Sequence, residues 1–254
     1  MKPTKLIKRS FRVVGLFILA ASLTGCIYWL RAYQTYLQMS EFDRYFKVAV
    51  TDQFTLQFND PKMYSEDFIA LAKLYPSEDN LIKDGRSWRY WFRKVDKDNH
   101  LVKPDIKFYS DMAFNAEKKL TAWSFSSLFL QIAPPAFLEV SLRSIAGGEI
   151  DKENQSLKAN TDLVGKINAA LPKKSEVLAK LGEPLSIQDE PGQEVYLYRF
   201  LLDTPRIEEG YEKNALNEVK LSFDKKNQEL IIMAGNFAGL KVSIDYRKFL
   251  KVAQ

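Results

Sequence analysis

The spacing of apolar residues changes along this chain, and each change marks an element. Val13 to Leu30 is 18 residues without a charge, behind a basic start. Ile27, Leu30, Tyr33 and Leu37 then recur at helical spacing, which predicts an amphipathic helix or spacer over residues 28–46. Such a helix either lies on a membrane or packs on the body of the protein, and packing is the commoner outcome.

Two similar patterns follow, one from Phe54 to about Ile145 and one from about Thr161 onward. In the first, Ser65, Glu66 and Asp67 open a short helix, with Ser65 as N-cap and acids in the first turn. It runs from Phe68 to Leu74 and stops before Pro76. In the second, Pro172 leads into a helix from Lys174 to Leu181 that ends at Gly182, with Pro184 just beyond. After each helix come a charged loop and an aromatic strand, Trp88–Arg93 in the first half and Val195–Phe200 in the second. A hairpin follows each strand. Phe108, Ser110, Met112 and Phe114 alternate before the turn Asn115–Lys119 and a return over Leu120–Leu128. Val219, Leu221 and Phe223 alternate before the turn Asp224–Gln228 and a return over Glu229–Met233. Between the halves, Phe137, Leu138, Leu142 and Ile145 predict a core helix closed by Gly147 and Gly148, and the polar stretch 147–162 predicts a linker. The expected fold class is α+β: two related helix-plus-antiparallel-sheet units in tandem, over 54–146 and 163–254.

Charge changes the picture only at the N-terminus. The chain has 37 Lys and Arg against 32 Asp and Glu, a net charge of +5. Lys2, Lys5, Lys8, Arg9 and Arg12 precede the apolar run with no acid among them. From Cys26 onward the two signs balance, so the basic excess belongs to the leader and the electrostatic case for a nucleic-acid partner disappears. Cys26 is the only cysteine, so the body has no disulfide framework and depends on its core. Aromatic residues at 13% suit a well-filled one.

The leader has a basic start, an apolar stretch over Val13–Leu23 and then Leu23-Thr24-Gly25-Cys26, which resembles the lipobox of bacterial lipoproteins at all four positions. The resemblance implies a signal peptide over 1–25, acylation of Cys26 as the first mature residue, and a lipidated N-terminus and spacer over 26–53. In enteric-type lipoproteins an aspartate after the cysteine holds the protein at the inner membrane, so Ile27 implies sorting to the outer membrane. The alternative anchor is an uncleaved transmembrane helix over 13–30, near the lower edge of a spanning length, with Tyr28 and Trp29 at the interface and Arg31 as the stop. Either way the basic cluster keeps the N-terminus cytoplasmic and the body faces the periplasm or cell exterior, held to membrane lipid.

The second half resembles the BamE/SmpA-type domain of small outer-membrane lipoproteins. The residues that carry the likeness are Lys174-Ser175-Glu176-Val177 through Leu181-Gly182-Glu183-Pro184, the Tyr196/Tyr198 strand and the hairpin of 217–234. The tandem β-lactamase-inhibitor fold is an architectural cousin that repeats the unit. Phe42-Asp43-Arg44-Tyr45-Phe46 and Phe58-Asn59-Asp60-Pro61 are similar to segments of uncharacterised proteobacterial lipoproteins. The BamE/SmpA likeness implies a non-catalytic domain that binds other envelope proteins, and the likeness to the uncharacterised lipoproteins implies a location but no activity.

The residue types needed for catalysis are sparse. His100 is the only histidine and sits in the turn-like Asp96-Lys97-Asp98-Asn99-His100. A solvated loop histidine is its ordinary meaning. Zinc needs clustered His or Cys, and the calcium pattern at Asp96 and Asp98 lacks the Gly and terminal Glu of an EF-hand loop. There is no phosphate-binding Gly-rich loop and no Gly-x-Ser-x-Gly elbow, and no cofactor is implied. Asp67, Asp111 and Glu194 flank aromatic stretches and are the candidates for a carboxylate pair acting on sugars. An envelope hydrolase is therefore the competing reading. Alternation places Trp88, Tyr90 and Phe92 on one face of their strand and Trp91 on the other, so Trp91 and Trp123 are the candidate partner surface.

Overall fold

A computed structural model of the chain describes residues 27–251, apart from 147, 152–155, 159, 163 and 238–239. The expected signal over 1–25, the expected lipidation site Cys26 and most of the alternative 13–30 span lie outside the described residues. Among the described residues no helix is long and apolar enough to cross a membrane.

The class is α+β. Helix α1 (27–38) continues through a 3₁₀ turn, Met39–Glu41, into the single-turn α2 (Phe42–Tyr45). The chain then enters β1 (Phe46–Val50) and β2 (Phe54–Phe58), so the expected spacer over 26–53 gives its last residues to the sheet. Next come α3 (Ser65–Ala72), β3 (Glu78–Ile82), β4 (Gly85–Lys94), β5 (Lys107–Asn115), β6 (Leu120–Phe125) and α4 (Pro135–Arg143). The polar stretch expected as a linker holds a small hairpin, β7 (Glu149–Asp151) with β8 (Ser156–Lys158). The rest is α5 (Lys174–Leu181), β9 (Ser186–Glu190), β10 (Gln193–Asp203), β11 (Leu216–Asp224), β12 (Leu230–Phe237) and β13 (Leu240–Asp245).

Apart from β7 and β8, these strands form one antiparallel sheet in the order β1-β2-β6-β5-β4-β10-β11-β12-β13. Separate sheets were expected from the two patterns. They are joined because β4 and β10 each have one edge only partly used by a short neighbour. β3 covers β4 from Gly85 to Arg89, leaving the rest of that edge to β10. β9 likewise covers β10 from Gln193 to Leu197, and Phe200–Asp203 pair with Lys94–Trp91. Leaving either stretch unpaired would orphan backbone donors next to a core.

Alternation decides the two faces. Along β4, Trp88, Tyr90, Phe92 and Lys94 are buried while Arg89, Trp91 and Arg93 are partly exposed, as the pattern predicted. Phe108, Ser110 and Met112 of β5 pair opposite the buried β4 positions Phe92, Tyr90 and Trp88, and Phe114 continues the buried row opposite Arg86. The helix layer covers this inner face: Phe68 of α3 meets Phe114 at 6.0 Å, and Phe137 of α4 meets Tyr246 at 4.9 Å.

Ser65 is not the N-cap of α3; Tyr64 holds that position. The side chain that closes the end is Asp67, whose Oδ2 accepts the Tyr64 N–H at 2.7 Å. Glu176 does the same for the Lys173 N–H of α5 at 3.1 Å. The C-terminal end of α5 turns at Gly182 with φ 65° and ψ −166°, a conformation that a side chain disfavours. Buried Lys94 reaches across from β4 to donate to Leu181 O at 2.6 Å and Glu183 O at 2.5 Å, placing its cation at the negative end of the helix. Burial pushes the Lys94 ammonium below its ordinary pKa.

Helix α1 docks by its polar side. Thr35 and Gln38 are buried, and Gln38 Nε2 donates to Asp60 O at 2.9 Å. Arg31 lies 3.3 Å from Asp67 Oδ1 and 4.5 Å over the Tyr64 ring.

Candidate functional site

The outer face of the sheet is built around β4 and β5. Cross-strand register sets Arg89 against Asp111, Trp91 against Tyr109 and Arg93 against Lys107. These side chains project away from the core because their neighbours Trp88, Tyr90 and Phe92 project into it.

Arg89 is held most firmly. Its Nε and Nη2 each donate to Asp111 at 2.7 Å, a two-pronged pair, and its guanidinium lies 3.9 Å from the Tyr109 ring centre. The Asp111 hydrogen bonds raise its already high pKa, so it stays charged. Trp91 stands edge-on to Tyr109 at 4.9 Å. Its Nε1 donates to Glu78 Oε1 at 2.6 Å, and Lys107 Nζ sits 4.6 Å over its ring. Arg93 donates to both oxygens of Asp105, at 3.2 and 3.0 Å. Gln53 Nε2 donates to the Tyr109 hydroxyl at 2.7 Å.

Beside this plate lies an open cleft of about 290 Å³ lined by Ser77, Glu78, Trp91, Arg93, Lys107 and Asp203. It forms where β3 gives way to β10 along the edge of β4. Partly exposed ion pairs of this kind contribute little stability, on the order of 0–1 kcal/mol each. Their effect is geometric: they hold aromatic and guanidinium groups in fixed positions on an exposed surface. Trp, Tyr and Arg are the residue types that dominate protein interfaces.

Trp123 does not join this surface. It pairs between Met112 and Leu56, on the inner face, with its Nε1 donating to Ser110 Oγ at 2.6 Å and its ring 5.0 Å from Phe125. Trp91 and Trp123 are on opposite sides of the sheet and cannot touch one partner together.

The three candidate carboxylates are also kept apart, each tied to its own cation. Asp67 is fully buried beneath α1 with Arg31, Asp111 holds Arg89 on the outer face, and Glu194 accepts from Lys174 at 2.7 Å. Burial raises the Asp67 carboxyl above its ordinary value against the Tyr64 hydrogen bond and the Arg31 charge, which lower it. This arrangement does not supply the two facing carboxylates that sugar hydrolysis uses.

Among the described residues, Asp96, Asp98 and His100 form a group of metal-type donors within 4.8 Å of one another, all exposed. Asp96 Oδ1 already accepts the N–H groups of Asp98 and His100, each at 2.9 Å. Those bonds hold the Asp96 carboxyl below its usual range, and the motif reads as an ordinary self-bonded turn.

Sequence reasoning singled out Trp91 but missed Arg89, Arg93 and Tyr109, although the same alternation that exposes Trp91 exposes them. Glu78 was not findable, since it lies on a strand the pattern did not reveal.

Fold and site together define an α+β protein whose wide sheet is covered by helices on one side and presents ordered aromatic and arginine side chains on the other. No protein-family model, curated protein or solved structure matches the chain.

Proposed function

We propose that this protein is a lipid-anchored, non-catalytic interaction protein of the bacterial envelope, facing the periplasm from the outer membrane, with the outer face around Trp91 as its partner surface. The observation that carries the binding role is the ordered plate of Arg89, Trp91, Arg93 and Tyr109 beside an open cleft. The location rests on the basic leader and Leu23-Thr24-Gly25-Cys26. The partner is a protein, because the plate mixes paired charges of both signs with aromatic rings and lacks the basic excess that nucleic acid requires.

We read the sheet as two tandem units related by a local two-fold, consistent with the BamE/SmpA-like pattern of the second. Three features support this. The β4–β10 pairing is symmetric: Phe200 faces Lys94 and Leu202 faces Phe92, with Leu201 and Arg93 at the centre. Each helix is entered from the same backbone bonds, Ser65 N–H to Lys118 O with Leu120 N–H to Met63 O, and Lys174 N–H to Gln228 O with Leu230 N–H to Pro172 O. Each hairpin carries a bulge next to Phe114 or Phe223 and a positive-φ residue in its turn, Lys118 or Gln228. Joining the units edge to edge makes one continuous outer face wider than either offers alone.

Two measurements test these readings. The N-terminal peptide of protein extracted from membranes is expected to begin at an acylated Cys26. An intact Met1 with an unmodified cysteine would instead make 13–30 the anchor and remove the sorting argument. A photo-crosslinking phenylalanine derivative at position 91 of the membrane-bound protein is expected to yield a discrete protein adduct, and the same residue at exposed Lys226 none. Trp91→Ala should then weaken that complex about 30-fold, the loss of ~2 kcal/mol usual for a central aromatic contact. Equal labelling at positions 91 and 226 would sink the surface assignment.

A further inference from the structure

Helix α1 is turned inside out. An amphipathic helix on a water-surrounded body puts its apolar stripe against the core. Here Arg31, Thr35 and Gln38 face the body, while Trp29, Leu30, Tyr33 and Leu37 face outward, each between 46 and 54% exposed. Ile27 at the start of the helix is 47% exposed as well. A stripe of this kind on one helix is a contiguous apolar patch, not the scattered exposure usual on protein surfaces.

The polar side is too well tied for the helix simply to roll over. Arg31 contacts the fully buried Asp67, Gln38 holds Asp60 O, and the Tyr36 hydroxyl donates to Gly148 O at 2.8 Å. Rolling the stripe inward would break these contacts and expose the buried carboxylate. The apolar side is therefore the outward side by construction.

What covers it follows from the chain. The stripe begins where the uncharged run from Val13 to Leu30 ends, so in sequence it continues the most apolar segment of the protein. Cys26, Tyr33 and Leu37 also stand at helical intervals of seven and four residues. Its composition, with Trp and Tyr among aliphatic residues, is that of the boundary between lipid head groups and acyl chains.

We infer that α1 lies flat in the membrane interface, with Trp29, Leu30, Tyr33 and Leu37 in the lipid and the body seated on its polar side. This rests on the membrane attachment proposed above but goes beyond it. An anchor at residue 26 alone leaves the body free to swing, whereas a flat helix of twelve residues, ~18 Å long, fixes its orientation. A helix lying in the interface sinks about 5–10 Å into it, enough to take in the stripe and leave Arg31 outside.

The test uses the full chain in native bacterial membranes with Cys26 intact. A photo-crosslinking phenylalanine derivative is placed singly at positions 30, 33, 37 and 226, and adducts are identified by mass. Phospholipid adducts are expected at 30, 33 and 37, with none at 226. Lipid adducts at 30 alone would mean that α1 stands away from the surface, which overturns the flat helix and leaves the anchor reading intact. Protein adducts in place of lipid at 33 and 37, to a second copy or to another protein, would also overturn it. Recovery of the chain in the soluble fraction would remove the attachment itself. The reporter positions are exposed, so folding is not at risk, and a thermal melt of each variant against the native chain checks this.

Discussion

Phe108→Ala is expected to cost about 3–5 kcal/mol, the range of the largest core truncations. Phe108 is 4% exposed and stands at the junction of the two halves of the sheet. Its ring stacks on Phe92 at 4.9 Å, meets Phe200 edge-on at 5.0 Å, and lies 5.6 Å from Phe129 and 6.1 Å from Phe237. Those four rings come from β4, β10, the turn after β6 and β12, so the truncation opens a cavity that no single element can close. Both halves should be weakened together, giving one cooperative denaturation transition displaced to lower denaturant. A loss under ~1.5 kcal/mol, or a transition split in two, would mean that the halves do not share this core.

Asp67→Ala should cost about 3 kcal/mol and loosen α1. The substitution leaves Arg31 without its buried counter-charge and the Tyr64 N–H without its acceptor. Asp67→Asn keeps an acceptor for Tyr64 and should cost less. Loosening is readable as faster proteolysis within 27–38 at temperatures where the sheet remains folded. The pH dependence has a definite sign. Burial raises the folded pKa of Asp67 above 3.8, so the fold takes up that proton before the unfolded chain does. Its contribution is complete below the unfolded pKa and is lost as pH rises through the folded one. Relative to Asp67→Asn, the native protein should gain stability as pH falls from neutral toward the unfolded value. A difference between the two that is independent of pH would show that Asp67 is not held in a desolvated site.

The same residue illustrates where local reading goes astray. Ser65-Glu66-Asp67 looks like a serine cap followed by acids that favour the helix dipole. In the fold, Asp67 is the closing side chain of the helix and also the anchor for a second helix more than thirty positions earlier in the chain. Only the first of these roles is local.

The aromatic strands, both hairpins, α4, α5 and the stop at Gly182 were all legible because each buries one side. Burial on one side writes a period of two or of 3.6 into the residue types. The short strands β3 and β9 left no such record. All five residues of β3 are exposed and four of β9 are, so their sequences are those of a charged loop. They are strands only because the free edges of β4 and β10 offer backbone partners. The single sheet has the same origin, since the β4–β10 junction is made by the stretches those short strands leave uncovered. On the outer face, Trp91 was visible as the odd aromatic in an alternating strand. Its companions Glu78 and Tyr109 reach it from strands whose register no local pattern encodes, and Trp123 proved to belong to the other side.

By itself, the sequence determined the α+β class and which residues of each long strand are buried, because these depend on composition and on periods of a few residues. Tertiary structure alone decided that the strands form one sheet, which groups meet on its open face and which side of α1 is turned outward. Those outcomes depend on edge pairing and on contacts between distant residues, such as Arg31 with Asp67 and Trp91 with Glu78. A one-residue change in register would have exchanged the faces without altering a single local propensity.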